Sequence, residues 1–403
     1  FFFVPIANAS HVMGGEITWK CSGNNSYIFE LIFYRDCNGA EINTASEALR
    51  VWNHPTLTTL NLAYISREDI SPSCTAVSGG PQPLDCGSGT SGGNGIGAIE
   101  RITYRSNPIT LSGTPPSQGW IFTYENFSRS NSLTNITSPA SYGITLTAKM
   151  FAFNQNSTCV DNSPVFMQAP YFVSCAGSNY RYNMNAIDPD LDSVYIDFGI
   201  PYNNFPTGSY NPPLNPIPVP FEPGFSALSP TPNASMNAAN VPAQINHQNG
   251  EITFNSSTIG NFALKVSVKS YRQGVLISEV EREMQLVITA CASGNNAPVF
   301  SAPFSSGSFI TTVNAGDLVN LNLIASDLDL LQDGSNQNVS ITASGPMFGT
   351  NYNQNTGCNI TPCAFLNTGF QYDFVVAQSV NSLTKVTNKY WVRLGATATM
   401  SQQ

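Results

Sequence analysis

The chain has 403 residues, of which 41% are hydrophobic and 11% are aromatic, so it can form more than one packed core and is not intrinsically disordered. Only 10% of its residues are charged, and 25 acidic side chains against 16 basic ones give a formal charge of −9. Because basic residues form no block, this balance argues against binding to nucleic acid or to an anionic membrane surface.

The first nine residues have the character of the end of a signal peptide. They are apolar, and small side chains at Ala7 and Ala9 occupy positions −3 and −1 of a cleavage site. A first β-strand is the alternative interpretation. No later apolar run reaches the roughly 18 residues of a membrane helix. We therefore expect a signal-peptide remnant at 1–9, export that leaves Ser10 at the N terminus, and no membrane span.

Alternation of apolar and polar residues predicts β-strands along most of the chain. Residues 27–34 are apolar on both faces apart from Glu30 and predict a central strand. Residues 144–150, 262–269 and 284–289 alternate, with Lys265 on the polar face of 262–269, which is typical of half-buried strands. Short strands separated by stretches rich in Gly and Pro predict an all-β fold of tandem Ig-like or cadherin-like β-sandwich domains.

The nine cysteines agree with export to an oxidising compartment. None lies in a CxxC motif, which disfavours zinc and thioredoxin-type chemistry, although spacing alone does not establish which cysteines are joined. Cys291 is left over when the others are grouped with their sequence neighbours. The candidate local disulfides are Cys21/Cys37, Cys74/Cys86, Cys159/Cys175 and Cys358/Cys363.

Two short motifs recur in the same order in the second half of the chain. Pro-Val-Phe at 164–166 precedes Asp-Pro-Asp at 188–190, and Pro-Val-Phe at 298–300 precedes Asp-Leu-Asp at 327–329. The intervals are 134 and 139 positions, and recurrence at nearly one period indicates repeated modules. The predicted domains are an N-terminal β-rich domain at 10–162, a sandwich with a Pro-rich insertion at 163–291, and a second, truncated sandwich at 292–403.

Asp188, Asp190 and Asp192 are the clearest candidate metal ligands. Three carboxylates at alternating positions on a turn repel one another unless a cation shares them, and oxygen ligands at this density suit Ca²⁺. A solvated acidic turn is the alternative interpretation. Asp327 and Asp329 form a looser second version of the motif. Calcium is therefore the expected cofactor.

The N-terminal run HVMGGEITWKC at 11–21, followed by FYRDCN at 33–38, resembles the opening of large multi-module surface proteins of gliding Bacteroidota. These are the gliding-motility-associated or type IX sorting-domain proteins. The resemblance implies a secreted or outer-membrane-exposed protein that is handled by export and sorting machinery. The second half is similar to cadherin-type or polycystic-kidney-disease-type modules through its Pro-Val-Phe entry and Asp-x-Asp loop.

No sequence motif nominates a catalytic group. The histidines His11, His54 and His247 have no nucleophile or acid motif beside them. We therefore expect a non-enzymatic protein, the N-terminal part of a secreted or cell-surface protein that acts as a structural spacer and adhesin toward a glycan or protein ligand. The alternatives are an accessory region of a secreted hydrolase and a carbohydrate-binding protein with a tryptophan platform.

Overall fold

The computed structural model describes residues 12–39, 41–71, 98–127, 129–153, 161–170, 173–190, 192–205 and 216–290, with Cys86 and Cys159. Elsewhere it describes only the backbone of short strands. The predicted signal-peptide remnant and the motif at Asp327 and Asp329 lie outside the described residues. The chain divides into two compact units, Phe1–Pro72 with Gln82–Cys291, and Ser73–Pro81 with Ala292–Gln403.

The all-β prediction is confirmed, since strands form nearly all of the regular structure. Among the described residues, helical structure is limited to a 3-10 turn at Pro139–Ser141. The strands of the first 150 residues are β1 (Val12–Gly23), β2 (Ser26–Asp36), β3 (Ser46–Trp52), β4 (Thr59–Asp69), β5 (Cys74–Thr75, in the second unit), β6 (Ile99–Ser106), β7 (Ile109–Thr110), β8 (Trp120–Asn126) and β9 (Ile144–Met150).

The first unit continues through the strands β10 (Val165–Phe166), β11 (Val173–Cys175), β12 (Asn179–Asn183), β13 (Ala186–Ile187), β14 (Ser193–Phe198), β15 (Val241–Ile245), β16 (Glu251–Asn255), β17 (Gly260–Arg272) and β18 (Val275–Thr289). The second unit contains β5 and the strands β19 (Val299–Phe300), β20 (Val319–Leu323), β21 (Ala325–Ser326), β22 (Val339–Ser344), β23 (Cys363–Leu366), β24 (Tyr372–Ala377), β25 (Arg393–Ala398) and β26 (Met400–Ser401).

One sheet runs through the first unit in the order β1-β2-β6-β4-β3-β8-β9-β18-β17-β14. It curls back on itself because one edge of β18 pairs with both ends of the N-terminal part. Residues 278–280 of β18 pair with β9, and residues 282–283 pair with β1. The other edge of β18 pairs with β17 along its length. β18 therefore fastens the two ends of the N-terminal sheet to the later strands.

The structure differs from the predicted domain boundary between residues 162 and 163. β9 and β18 fall on opposite sides of that boundary, yet they are neighbours in one sheet of one compact unit. Pairing between strands so far apart in the sequence forms only in the folded chain, so it leaves no local signal at the boundary. The main segment of the second unit begins at Ala292, where the third domain was predicted to begin.

The predicted strands are present, but the alternating segments 144–150, 262–269 and 284–289 are buried on both faces rather than half-buried. β2 lies between β1 and β6, as predicted for a central strand. β17 contains the alternating segment 262–269, but both of its faces are buried, and Lys265 is only 1% exposed. The half-buried assignment was wrong because other parts of the fold cover the polar faces. The Tyr202 ring lies 4.4 Å from Lys265 Nζ, which lies 2.8 Å from Glu281 Oε2, and the Thr145 hydroxyl donates to the carbonyl of Asn203.

The repeat found in the sequence corresponds to recurring strand pairing. β10 pairs with β13 so that Phe166 lies opposite Ala186, and β19 pairs with β21 so that Phe300 lies opposite Ala325. The sheet β12-β16-β15 of the first unit corresponds to β20-β24-β23 of the second, and the pair β14–β17 corresponds to β22–β25. All these pairings are antiparallel. The two stretches therefore share one order of strands.

Disulfide bonds in the first unit connect residues that are distant in the sequence. Cys21 is joined to Cys159 and Cys37 to Cys86, with Cα atoms 6.0 and 5.2 Å apart. Cys175 is also disulfide-bonded. The first bond ties the end of β1 to the segment that precedes β10. Both of its cysteines therefore lie within the predicted N-terminal domain, 10–162.

These bonds contradict three of the four local pairs predicted from spacing. Cys21 lies opposite Tyr27 in the β1–β2 hairpin, whereas Cys37 follows the far end of β2. Ten extended residues separate Tyr27 from Cys37, which is about 33 Å of strand. Closeness in sequence is therefore not closeness in space along a hairpin. The wrong pairs are Cys21/Cys37, Cys74/Cys86 and Cys159/Cys175, and Cys358/Cys363 lies outside the described side chains.

Candidate metal centre

Four aspartates converge beside the hairpin turn that joins β17 to β18. Asp188, Asp190 and Asp192 come from the turn between β13 and β14, and Asp161 comes from the segment before β10. One carboxylate oxygen of each lies within 4.8 Å of the others. The structure thus brings together the three aspartates that the sequence singled out. Asp161 was missed, because it is 27 positions from Asp188 and belongs to no local motif.

Asp188 organises the turn on which the other two aspartates lie. Its Oδ1 accepts the backbone N–H groups of Asp190 at 2.8 Å and of Asp192 at 3.3 Å, as Asp side chains commonly do in turns. Its Oδ2 accepts the hydroxyl of Ser270 on β17. Burial raises the pKa of Asp188 to about 6, and the Ser270 hydrogen bond opposes this shift.

Asp190 connects the turn to the N-terminal sheet through Asn162. The backbone N–H and the side-chain amide of Asn162 donate to Oδ2 and Oδ1 of Asp190, each at 2.7 Å. The amide oxygen of Asn162 accepts the backbone N–H of Cys21 at 2.8 Å. Cys21 lies two residues before the end of β1 and carries the bond to Cys159. The centre therefore lies where the segment 161–162 meets β1.

Arg272 places a positive charge among the carboxylates. Its Nε donates to both oxygens of Asp192 at 3.0 Å, and its Nη2 donates to Asp192 Oδ2 at 2.6 Å. The same Nη2 lies 3.2 Å from Asp190 Oδ2 and 3.3 Å from Asp161 Oδ1. A two-residue turn at 273–274, with positive φ at both positions, ends β17 and fixes Arg272 at its tip.

Among the four aspartates, Asp161 has the carboxyl group whose burial is least offset by polar partners. Its side chain is fully buried, and within the described part of the chain its Oδ2 has no hydrogen-bond partner. Burial raises the pKa of Asp161 to about 9, and the nearby Asp188 adds to this shift. The Ser278 hydroxyl lowers the pKa in part, but it lacks the geometry of a hydrogen bond. An acceptor oxygen of this kind is costly unless a cation or proton shares it.

Repulsion among the carboxylates of Asp188, Asp190 and Asp192 is the reason that the sequence predicts calcium. The structure shows that Arg272 offsets part of that repulsion from within the protein, facing Asp192, Asp190 and Asp161. One guanidinium does not balance four carboxylates. Opposite oxygens around Ca²⁺ are about 5 Å apart, because each metal–oxygen distance is about 2.3–2.6 Å. The aspartate oxygens all lie within 4.8 Å of one another, which fits such an ion.

A second group of metal-type ligands, Cys37, Cys86 and Glu100, is already engaged in other bonds. The two cysteines are joined to each other, so they offer no thiolate. Glu100 pairs with Arg35 at 2.5 Å and lies 3.4 Å from Arg67. This group therefore stabilises the fold around β2 and β6.

The tryptophans do not form a sugar platform in the described part of the chain. Trp19 and Trp120 are buried in the core, and Trp52 is half-buried with its Nε1 donating to Thr123 at 2.9 Å. Trp391 lies outside the described residues. Core packing therefore accounts for Trp19 and Trp120.

No helix in the described ranges combines the length and the apolar character that crossing a membrane requires. The amino-acid sequence matches no protein-family model, and no curated protein matches it. The resemblance to surface proteins of gliding Bacteroidota therefore stays a prediction, and any functional conclusion depends on the structure.

Proposed function

We propose that the chain is the N-terminal part of a secreted or cell-surface multi-module protein, non-catalytic, that serves as a structural spacer and adhesin. The observation that carries this proposal is the recurrence of one strand order, β10–β13, β12-β16-β15 and β14–β17, in the strands of the second unit. A repeated antiparallel module of this kind suits tandem Ig-like or cadherin-like sandwiches. Such arrays hold a binding surface away from the cell.

The disulfides support an extracellular location for this module. Bonds between Cys21 and Cys159 and between Cys37 and Cys86 persist in oxidising compartments and are rare in the cytosol. Each closes a long loop, 138 and 49 residues in sequence separation. Disulfides that close loops of this length stabilise the folded chain chiefly by reducing the conformational entropy of the unfolded chain.

Surface labelling of the source cells tests the location and the role together. An antibody against the purified chain should stain intact cells, and protease treatment of those cells should remove the signal. A deletion strain should lose attachment to the substratum, and the gene supplied in trans should restore it. Antigen confined to the cytoplasmic fraction, with free thiols at Cys21 and Cys37, would exclude the proposal.

We also propose that the four aspartates bind Ca²⁺ in the folded protein. The buried, unpartnered Oδ2 of Asp161 favours this second role, because a cation would supply the missing partner. Extracellular modules commonly bind Ca²⁺ at 10⁻⁴ to 10⁻³ M, so about 10 mM Ca²⁺ should stabilise the fold by roughly 1.4–2.7 kcal/mol. Magnesium should substitute poorly because it requires a smaller octahedral shell.

Thermal unfolding of the full chain tests this role. The melting temperature should be higher in calcium than in EDTA, and Asp192→Asn should abolish the increase. Asp197→Asn is the matched control, since Asp197 lies on β14 outside the centre and an amide oxygen can still accept its Phe198 N–H contact. One melting temperature for the wild type in both buffers would remove calcium from the proposal.

A further inference from the structure

We infer that Arg272 is a built-in competitor for the cation site, so that its guanidinium holds Asp161, Asp190 and Asp192 together until a divalent cation displaces it. The inference rests on the proposed calcium site and concerns how that site is regulated. It also assigns Asp161 to the site as its buried fourth ligand. No local motif in the sequence links Asp161 or Arg272 to the three aspartates of the turn.

The position of one nitrogen atom carries this inference. Nη2 of Arg272 lies 2.6 Å from Asp192, 3.2 Å from Asp190 and 3.3 Å from Asp161. It is therefore surrounded by oxygens of three carboxylates from two separate segments. A calcium ion bound to the same oxygens at about 2.3–2.6 Å would occupy nearly the same place. Two cations at that separation repel each other strongly in a partly buried setting, so they exclude one another.

Asp161 supplies a second, independent observation. Its Oδ1 faces Arg272, while its buried Oδ2 makes no hydrogen bond among the described residues, because the Ser278 hydroxyl lacks the geometry for one. Arg272 thus contacts only some of the carboxylate oxygens of the centre. A spherical ion with six to eight oxygen ligands has the coordination capacity to engage both sides of the cluster. The site therefore offers a divalent cation more carboxylate oxygens than a planar guanidinium can engage.

The surroundings of Arg272 allow its side chain to move away from the aspartates. Its side chain is 18% exposed and begins at the tip of the β17–β18 hairpin, whereas the Asp161 side chain is fully buried. The guanidinium carbon lies 5.4 Å from the centre of the Phe153 ring, which offers a cation–π contact beside the site. Asp188 is held by Ser270 and by backbone N–H groups, so the turn keeps its shape without the arginine. Displacement therefore requires movement of one flexible side chain.

Calcium titration by calorimetry on the full chain tests the competition. Arg272→Gln should bind Ca²⁺ at least about tenfold more tightly than the wild type, because no side chain has to be displaced. Its melting temperature should be lower than that of the wild type in EDTA, and its increase with calcium should be larger. The matched control is Arg181→Gln. Arg181 forms an ion pair with Glu251, with Nε 3.5 Å from Oε1, and this pair lies outside the metal centre. The calcium affinity of this variant should equal that of the wild type.

The outcomes separate this inference from the calcium proposal. If the wild type binds and a natively folded Arg272→Gln binds no more tightly, the inference fails and the calcium site stands. If only Arg272→Gln binds, no cation displaces Arg272 in the wild type, so both the wild-type calcium proposal and the displacement fail. Binding by neither refutes both. Should Arg272→Gln fail to fold in EDTA, Arg272→Lys keeps the charge without the planar fork and should bind Ca²⁺ more tightly than the wild type, and equal or weaker binding would overturn the inference.

Discussion

Arg282 on β18 and Glu16 on β1 form a buried, two-pronged ion pair although 266 positions separate them. Nη2 of Arg282 donates to Oε1 of Glu16 at 2.6 Å, and Nε donates to Oε2. The two residues lie directly opposite each other in the β1–β18 pairing, and Tyr34 donates a third hydrogen bond to Glu16 at 3.3 Å. The pair therefore fastens the first strand to β18 where the sheet curls back on itself.

Removing one partner of this pair should be strongly destabilising. Glu16→Gln leaves Arg282 as a buried, uncompensated charge, and such changes cost about 3–5 kcal/mol. Urea unfolding measures the loss. Glu30→Gln is the matched control, because it breaks an exposed pair with Arg105 and should cost less than about 1 kcal/mol. Equal losses in the two variants would contradict a structural role for the buried pair.

Gly14 should be irreplaceable because β1 approaches β18 too closely for a side chain. A Cβ at Gly14 would overlap the carbonyl oxygen of Glu283 and lie 2.9 Å from Cα of Met284. Gly23 is the control, since its φ is also positive but its Cβ would meet nothing within 4 Å. Gly23→Ala should cost about 1–2 kcal/mol from backbone strain alone. Gly14→Ala should cost at least about 2 kcal/mol more, and similar unfolding energies for both variants would refute the close approach.

His54 should make the fold less stable in mild acid. Its Nδ1 accepts the backbone N–H groups of Thr56 at 3.3 Å and Leu57 at 3.0 Å, which requires the neutral ring. Burial lowers the pKa of His54 from its ordinary 6.5, so the unfolded chain takes up the proton first as the pH falls. The stabilisation is present above pH 6.5 and decreases below it.

The contribution of His54 to stability is measured by comparing the free energy of unfolding of the wild type with that of His54→Asn. In His54→Asn the Oδ1 atom can accept the same N–H groups without titrating. The free energy of unfolding of the wild type should fall relative to that of the variant between about pH 7 and pH 5. Parallel pH profiles of the two proteins would show that the pKa of His54 is the same in the folded and unfolded states.

Asp161→Asn should stabilise the protein in metal-free buffer. Burial raises the pKa of Asp161 to about 9, whereas the unfolded carboxyl ionises near 3.8. The folded state therefore holds a proton that the unfolded state releases, and this carboxyl costs more stability as the pH rises between those values. The advantage of Asp161→Asn should be larger at about pH 8 than at about pH 5, as unfolding curves will measure. A variant less stable than the wild type at both values would contradict the burial of an uncompensated carboxyl.

Peptide mapping without reductant should recover the long-range disulfides. Linked peptides should contain Cys21 with Cys159 and Cys37 with Cys86, and the same map will identify the partner of Cys175. The chain-entropy relation assigns about 5 kcal/mol to the first loop and about 4 kcal/mol to the second. Replacing both cysteines of one pair by serine should lower the free energy of unfolding accordingly. Peptides linking Cys21 with Cys37 would overturn the pairing.

Some features of this protein follow from the sequence by itself. The alternation in segments 144–150 and 262–269 is enough to predict strands, because successive side chains of an extended chain point to opposite faces whatever surrounds them. The recurrence of Pro-Val-Phe and Asp-x-Asp likewise predicts a repeat, since a repeated module needs the same local residues at its strand entries and turns. The grouping of Asp188, Asp190 and Asp192 is local in the same sense.

Only the tertiary structure decided the rest. The fastening of β1 to β18, the bond from Cys21 to Cys159, and the meeting of Asp161 with Arg272 all join residues that are distant in the chain. The burial of Lys265 also depends on a distant segment that covers it. Each depends on strand register, and a register is chosen by the combined packing and hydrogen bonding of whole sheets, which no local stretch of sequence encodes.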